Sequence, residues 1–464
     1  MKQGDLLTLN IIDVNSDGDG VARTSDGAVI FVSGAITGET VSARVIFAGK
    51  KATFAKTMSV TEPSPFRIKP TCPHSGSCGG CDLCHVSFDF EGKVKREQVV
   101  TAFKKIAGVD LGDLVLPTAQ GENVFGYRNK LQLPVAAVKG KPALGFYKKR
   151  THDIIPLDVC PSNGDWSEKL IAAVKNWIGE FNVPCYDEEK NTGVVRHIVA
   201  RKVGATVSVT LVINSDFLPK QKALVAALKN AFEKFTLGYS VNKTKGNVIM
   251  GDNYHPVFGD EKIQEKYLGL ELVLSPLSFL QVNDEIAKAI YEKVASVIDP
   301  DSIVFDLYSG VGIMTSFIAK RARAVYGVEI VPDAVLNANE NFFKNDIKNA
   351  TAICGDVKDV LPMVLKSRLS GDKTVTLPQD DDPLRPVSVV VDPPRSGLDP
   401  EVIDTVLSVD PEKIIYVSCS PTSLARDVKL FLASNKYRLT YVQPFNMFPR
   451  SKHVETVASL ERLK

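Results

Sequence analysis

The sequence predicts a three-part chain: a small β-barrel, a central α+β domain with a cysteine-rich loop, and a C-terminal α/β domain on a parallel sheet. Three observations predict it. Short alternating apolar stretches separated by turn residues fill residues 1–60, and four cysteines crowd into residues 72–84. From residue 271 onward, continuous apolar runs alternate with helix-like segments. Those runs lack the alternation of a half-exposed strand, as strands buried on both faces of a parallel sheet do.

At 464 residues, with 44% hydrophobic and 24% charged side chains, the composition is that of a globular protein of two or three domains. The charges nearly cancel, 56 basic against 54 acidic. That balance neither demands nor excludes a nucleic-acid partner, because a basic face can hide in a neutral total. No apolar run approaches the roughly 20 residues of a membrane span. The start "MKQGDLLTLN" lacks the apolar core of a secretory signal, so a cytoplasmic protein with no membrane contact is expected. In that compartment the eight cysteines are expected to be ligands or nucleophiles rather than disulfides. Cys72, Cys78, Cys81 and Cys84 crowd together, whereas Cys160, Cys185, Cys354 and Cys419 stand apart.

The elements follow in order. "LLTLNIIDV", "AVIFVSG" and "TVSARVIFA", divided by "SDGDG", "SDG" and "TGE", predict the strands of a small closed barrel over 1–61. The proline-rich "EPSPFRIKPTCP" marks a boundary, and a central domain is expected over 62–270. Within it, "FDFEGKVKREQVVTAFKKIAG" has helical spacing and a basic face, predicting a helix over about 88–108 that packs on the C-terminal domain. "VSVTLVI" and "GNVIMG" are predicted as strands and "QKALVAALKNAFEKF" as a helix. Over 271–464 the strands are "SIVFDLYSG", "AVYGVEI", "ATAICGDV", "VSVVVDPPR" and "KIIYVSCS". The polar, acidic "SRLSGDKTVTLPQDDDPLRP" is expected to be a mobile surface insertion.

"VFDLYSGVGIMT" places Asp306, Gly310 and Gly312 at a strand-to-helix turn, where small residues let a ligand approach the backbone. Such a turn alone also serves as a plain tight turn. Thr315 stands where a dinucleotide fingerprint wants a third small residue, which disfavours pyrophosphate. Glu329 ends the next strand, where a carboxylate can hold ribose hydroxyls. Asp356 ends the third, within reach of an adenine edge. Ribose and adenine without phosphates point to S-adenosylmethionine on a Rossmann-like sheet.

Asp392 lies at the tip of the fourth strand and Cys419 at the tip of the fifth, facing the same crevice. A buried cysteine is usually inert packing. A methyl donor beside it suggests a particular problem: C5 of uracil is a poor nucleophile until a thiolate adds to C6. A base must then remove the C5 proton. Cys419, Asp392, and either Glu455 or His453 in "SKHVETVASLE" supply the needed groups. Spacing alone does not choose between Glu455 and His453. On ligand type alone, the crowded cysteines suit zinc and iron–sulfur equally. His74 and His85 are expected to be solvated loop residues.

"DLYSGVG", "DPPRSG", "VSCSP" and "NMFPRSKHVETVA", in this order, resemble the S-adenosylmethionine-dependent RNA uracil-5-methyltransferases over nearly the whole chain. The resemblance implies that Cys419 is the nucleophile, Glu455 the base and Asp392 the uracil contact, with Asp392 also bordering the cofactor. It implies cofactor contacts at Gln281 in "SPLSFLQVN", Tyr308, Gly310, Gly312, Glu329 and Asp356. Cys72-x5-Cys78-x2-Cys81 with Cys160 in "LDVCPS" is similar to the branch carrying a [4Fe–4S] cluster, with Cys84 an extra thiol that could compete. The first 60 residues resemble the TRAM domain, an oligonucleotide-binding-type barrel used on RNA. The implied partner is RNA with a single-stranded or loop uridine, 23S ribosomal RNA above transfer RNA, and the implied state a monomer. Two departures stand out: Ile313 replaces a polar residue after the second glycine, and Asn446 stands where the family commonly has aspartate. Two other readings remain. Cytosine-5 methylation of RNA normally needs a second cysteine near the nucleophile, and a non-catalytic RNA-binding factor would not need Cys419, Asp392 and Glu455 together.

Overall fold

The computed structural model describes residues 1–49, 52–149, 151–251, 253–372 and 375–464. Six N-terminal strands form one sheet in the order Leu6–Asn10, Thr40–Ala48, Thr53–Glu62, Val29–Ser33, Gly20–Arg23, Asp13–Val14. Register shifts between Thr40–Ala48 and Thr53–Glu62 bend it around Leu9, Ile11, Ile30, Val32 and Val41. Among the described residues its two edge strands do not pair with each other, so the expected closed barrel is a strongly curled sheet. A small core of Val14, Ile36, Leu83, Val86 and Val94 joins it to the cysteine loop and to helix Phe88–Ala102.

The central sheet has seven strands, backed by helices Asp165–Glu180 and Gln221–Ala231. Trp166, Leu170, Val174, Leu224 and Leu228 of those helices pack on Leu131, Leu133 and the wholly buried strand Thr206–Ile213. "GNVIMG" is a loop rather than the predicted strand. Asn242 Nδ2 donates to the carbonyls of Val248 and Ile249, and Ser240 Oγ accepts from Gly251 N. Side chains thus satisfy the backbone groups that a neighbouring strand would have taken.

The C-terminal sheet consists of β1 (Ile303–Leu307), β2 (Ala324–Glu329), β3 (Ala350–Cys354), β4 (Val387–Val391), β5 (Lys413–Ser418), β6 (Tyr437–Phe445) and β7 (Glu455–Arg462). Its order is β3-β2-β1-β4-β5-β7-β6. The pairs among β1 to β5 are parallel, whereas β7 runs antiparallel to both neighbours. The strand order reverses between β1 and β4, the place where sheets of this kind bind ligands beyond their carboxyl ends. Val99, Ala102 and Phe103, on helix Phe88–Ala102 and the turn after it, share a core with Phe305, Val389 and Tyr416 of this sheet.

The acidic segment after helix Val357–Ser370 is anchored rather than loose. Arg368 and Asp380 form a buried ion pair at 2.7 Å. Tyr326 OH donates to Asp380 at 2.9 Å and accepts from Leu377 N. Lys373 and Thr374 of that segment lie outside the described residues, as does Arg150 of "FYKKRTH" (146–152), a basic segment expected with "KVKRE" (93–97) to hold RNA. No helix among the described residues is long and apolar enough to cross a membrane.

Candidate active site

Four strand ends deliver the site. In β1, Asp306 is completely buried and accepts from Thr315 Oγ1 at 2.5 Å, and burial pushes its carboxyl up to about 7. Thr315 thus has a definite job where a dinucleotide site would want a small residue. The chain then turns through Tyr308, at φ 65°, and Gly310, at φ 56°. Left-handed backbone of this kind is costly for tyrosine and marks a functional turn. Glu329, at the end of β2, accepts from Gly310 N at 3.0 Å and from Val331 N at 2.9 Å. One carboxylate oxygen thus grips the glycine turn, and the other is held by the backbone just beyond β2.

β4 and β5 are paired in register, Val391 opposite Tyr416, so Asp392 and Cys419 emerge at the same edge. β7 then closes the site from a distant part of the sequence. Its pairing with β5 places Ser418 opposite Thr456, so the next residues outward are Cys419 and Glu455. Burial pushes the Cys419 thiol up to about 11, helped by the Glu455 and Asp392 charges and opposed by the Arg395 guanidinium. Burial raises Asp392 to about 7, and Gln281 Nε2 donates to it at 3.4 Å. Glu455 is 3% exposed, and burial and the Asp392 charge push its carboxyl well above the usual range. Among the described residues its Oε2 has no hydrogen-bond partner.

Arg395, inside "DPPRSG", was not singled out by sequence reasoning. Its signal was there: it is the one cation in a loop already placed at the site. Arg395 Nη2 lies 2.7 Å from His453 Nδ1. Burial and the neighbouring cations Arg395 and Lys452 push the imidazole down to about 4, leaving a neutral ring that accepts from the guanidinium. The loop is fixed to the helix after Cys419. Ser423 Oγ donates to the Arg395 carbonyl, and Asp427 accepts from Leu398 N and from Tyr416 OH.

One cavity of about 840 Å³ is lined by Gln281, Tyr308, Gly310, Glu329, Asp392, Arg395, Cys419, His453 and Glu455. Gly312 and Asp356 do not line it. Gly312, at φ 78°, is the N-cap of helix Ile313–Ala319, and an added Cβ there would press on Phe342. Asp356 caps helix Val357–Ser370 by accepting from Lys358 N. The same cavity reaches Cys72, Cys78, Cys81, Cys84 and Cys160. Gly80 N donates to Cys78 Sγ at 3.4 Å, and Cys81 Sγ lies 3.9 Å from Ser162 Oγ. Burial raises Cys78 to about 11 and raises Cys160. No group of three or more His, Cys, Asp or Glu among the described residues is arranged to hold a metal ion. His85 is buried, not solvated as expected, and burial pushes it down to about 4.

The basic segment "KVKRE" needs a correction as well. Lys95 has no solvent exposure and is paired with Glu91, so of its cations only Lys93 and Arg96 reach toward solvent, with Glu97 beside them.

A doubly wound sheet with an acidic residue gripping a glycine turn, opening on a shared crevice, defines the class of S-adenosylmethionine-dependent methyltransferases. Residues 202–463 match the family model tRNA (Uracil-5-)-methyltransferase, and residues 2–57 match the TRAM domain. The chain belongs to this family of RNA uracil-5-methyltransferases. It is 34% identical over 466 residues to an uncharacterized RNA methyltransferase of Halalkalibacterium halodurans, covering 99% of this chain and 98% of that one. A Clostridium tetani RNA methyltransferase is 34% identical, covering 98% and 96%. Among solved structures, the Pyrococcus abyssi tRNA (uracil-54, C5)-methyltransferase in complex with S-adenosyl-L-homocysteine superposes with a TM-score of 0.75 at 27% identity. That match covers 98% of this chain and 100% of the archaeal one.

Proposed function

We propose that this protein methylates C5 of a single-stranded or loop uridine in 23S ribosomal RNA through a covalent bond between Cys419 and C6. The observation that supports it best is the meeting of Cys419, Asp392, Arg395 and Glu455 on one cavity with Gln281, Tyr308, Gly310 and Glu329. S-adenosylmethionine, held against those last four residues, supplies the methyl group. Asp392 hydrogen-bonds the uracil edge, and its raised pKa lets it do so as a donor. Arg395 favours the thiolate of Cys419 and steadies His453. The thiolate pair forms the bond to C6, the C5=C6 π pair moves to C5, and C5 takes the methyl group, releasing S-adenosylhomocysteine. Glu455 then removes the C5 proton, the C5–H electrons re-form the double bond, and the Cys419 sulfur leaves. A carboxylate with raised pKa holds an abstracted proton more firmly, which favours Glu455 over the depressed His453 as base. The target base must leave its stack for C6 to reach the thiol.

Cys72, Cys78, Cys81 and Cys160 would hold a [4Fe–4S] cluster. Their shared cavity and the N–H donated to Cys78 Sγ suit thiolate ligands. A zinc ion bonds its sulfurs at about 2.3 Å and needs a tight tetrahedron. The choice of iron–sulfur over zinc rests on the cysteine spacing of the resemblance, and metal analysis separates the two. We further propose a functional division at 1–61, 62–270 and 271–464, with the chain acting as a cytoplasmic monomer.

The test is trapping. With RNA carrying 5-fluorouridine, the protein should form an adduct that survives denaturation, and Cys419→Ala should form none. With ordinary RNA, Glu455→Gln should accumulate an adduct already bearing the methyl group. Normal turnover by Cys419→Ala would refute the mechanism. A second target, transfer RNA, is favoured by the full-length similarity to the archaeal tRNA enzyme. Labelling 23S and transfer RNA in parallel separates the two.

A further inference from the structure

Helix Phe88–Ala102 carries an ion pair with no solvent contact. Glu91 and Lys95 lie one turn apart, Oε1 to Nζ 3.1 Å, and both side chains are fully buried. Each directs its other bonds to residues 446–450. Lys95 Nζ donates to Asn446 Oδ1 and, at 2.9 Å, to the Phe448 carbonyl. Glu91 Oε1 accepts from Asn446 Nδ2 at 2.8 Å and from Arg450 N at 3.0 Å. An amide at 446 serves both charges at once, its oxygen toward the cation and its NH₂ toward the anion.

The same segment is gripped from other elements. The carbonyls of Met447, Phe448, Pro449 and Arg450 accept from Asn283, Lys95, Tyr127 and Leu83. Arg450 holds a left-handed φ of 69° while its Nη1 donates to the Val86 carbonyl in the cysteine loop. Such backbone persists only where its surroundings over-determine it. The segment leads directly to His453 and Glu455. A buried ion pair is a poor source of stability, since apolar residues of similar volume usually do as well. Its worth here lies in fixing directions.

We propose that Glu91 and Lys95 are positioning residues, whose ion pair sets the backbone of 446–450 so that Glu455 meets the base carried by Cys419. The proposal rests on the assignment of Glu455 as the base. The test is the double variant Glu91→Met/Lys95→Met, which removes both charges together. It should still fold and keep S-adenosylmethionine affinity, but unfold below the wild-type temperature, because Asn446, Arg450 N and the buried Arg450 guanidinium lose Glu91 and the Phe448 carbonyl loses Lys95. Its turnover should fall by about 10²-fold, the usual cost of a misplaced group. Methylated protein–RNA adduct should accumulate, because elimination is the step that needs Glu455. Backbone amide exchange over 446–455 should rise by about tenfold or more, reporting local loosening. Wild-type exchange over that segment in the folded double variant would overturn the proposal, whatever the reaction. If wild-type protein forms no adduct with 5-fluorouridine RNA, the base assignment fails, while exchange still decides the positioning role. Should the double variant not fold, Asn446→Ala decides instead, because it leaves the ion pair intact. Faster exchange and accumulated adduct support the role, and wild-type behaviour in both overturns it.

Discussion

Asp392→Asn should make the folded protein more stable at neutral pH. Burial raises this carboxyl from 3.8 to about 7, a difference equivalent to about 4 kcal/mol at about 1.4 kcal/mol per pH unit. The sign follows from proton binding. Between about pH 4 and 7 the folded state keeps a proton that the unfolded chain has released, so stability falls as pH rises through this window. Above about pH 7 both states are ionised and the loss is complete. Asparagine is neutral throughout and can still accept from Gln281 Nε2, at 3.4 Å in the wild type. The stability gap between variant and wild type should therefore open from about pH 4, reach an upper bound of about 4 kcal/mol, and stay constant above about pH 7. Urea unfolding of both proteins from pH 4 to 8 reads the gap directly. Asp306 is raised to about 7 as well, so the variant keeps part of the pH slope. An identical slope in the two proteins, or a variant less stable at pH 8, would refute the burial cost assigned to Asp392.

Three further outcomes are expected. Arg395→Met removes the cation opposing the raised thiol pKa of Cys419, so the rate of adduct formation with 5-fluorouridine RNA should shift to higher pH; an unmoved profile would show that the guanidinium does not act on the thiol. Anaerobically purified protein should carry about four irons per chain, as a Cys₄-ligated cubane does. Cys160→Ser should lose them and Cys84→Ser keep them, and stoichiometric zinc would end the cluster assignment. Lys148→Ala, at an exposed lysine beside the groove leading to His453, should weaken RNA binding and flatten the plot of log affinity against log salt by about 0.7 per lost phosphate contact on a single strand. An unchanged salt slope would place the RNA elsewhere.

Much of the site was legible before any coordinates. Residues at the carboxyl ends of apolar strands announce themselves, because a buried parallel strand leaves only its tip free to meet a ligand. Glu329, Asp392 and Cys419 all fall at such tips. Three things were not legible. The closing antiparallel strand β7, which sets Glu455 opposite Cys419, is a matter of sheet pairing between segments with no local signal of partner or direction. Lys95 looked like part of a basic surface, because spacing on a helix reveals a face but not what will cover it. Asp356 and Gly312 read as ligand contacts, and their further roles, one capping a helix and the other starting one, belong to the folded chain. The sequence by itself therefore determined which strands exist, where they end and which reactive groups stand there, since those follow from local periodicity and turn chemistry. Only the tertiary structure decided that a buried ion pair on helix Phe88–Ala102 holds the loop before Glu455, and that the cysteines open onto the same cavity as the thiol. Contacts between residues hundreds of positions apart depend on packing, and packing leaves no periodic trace in the chain.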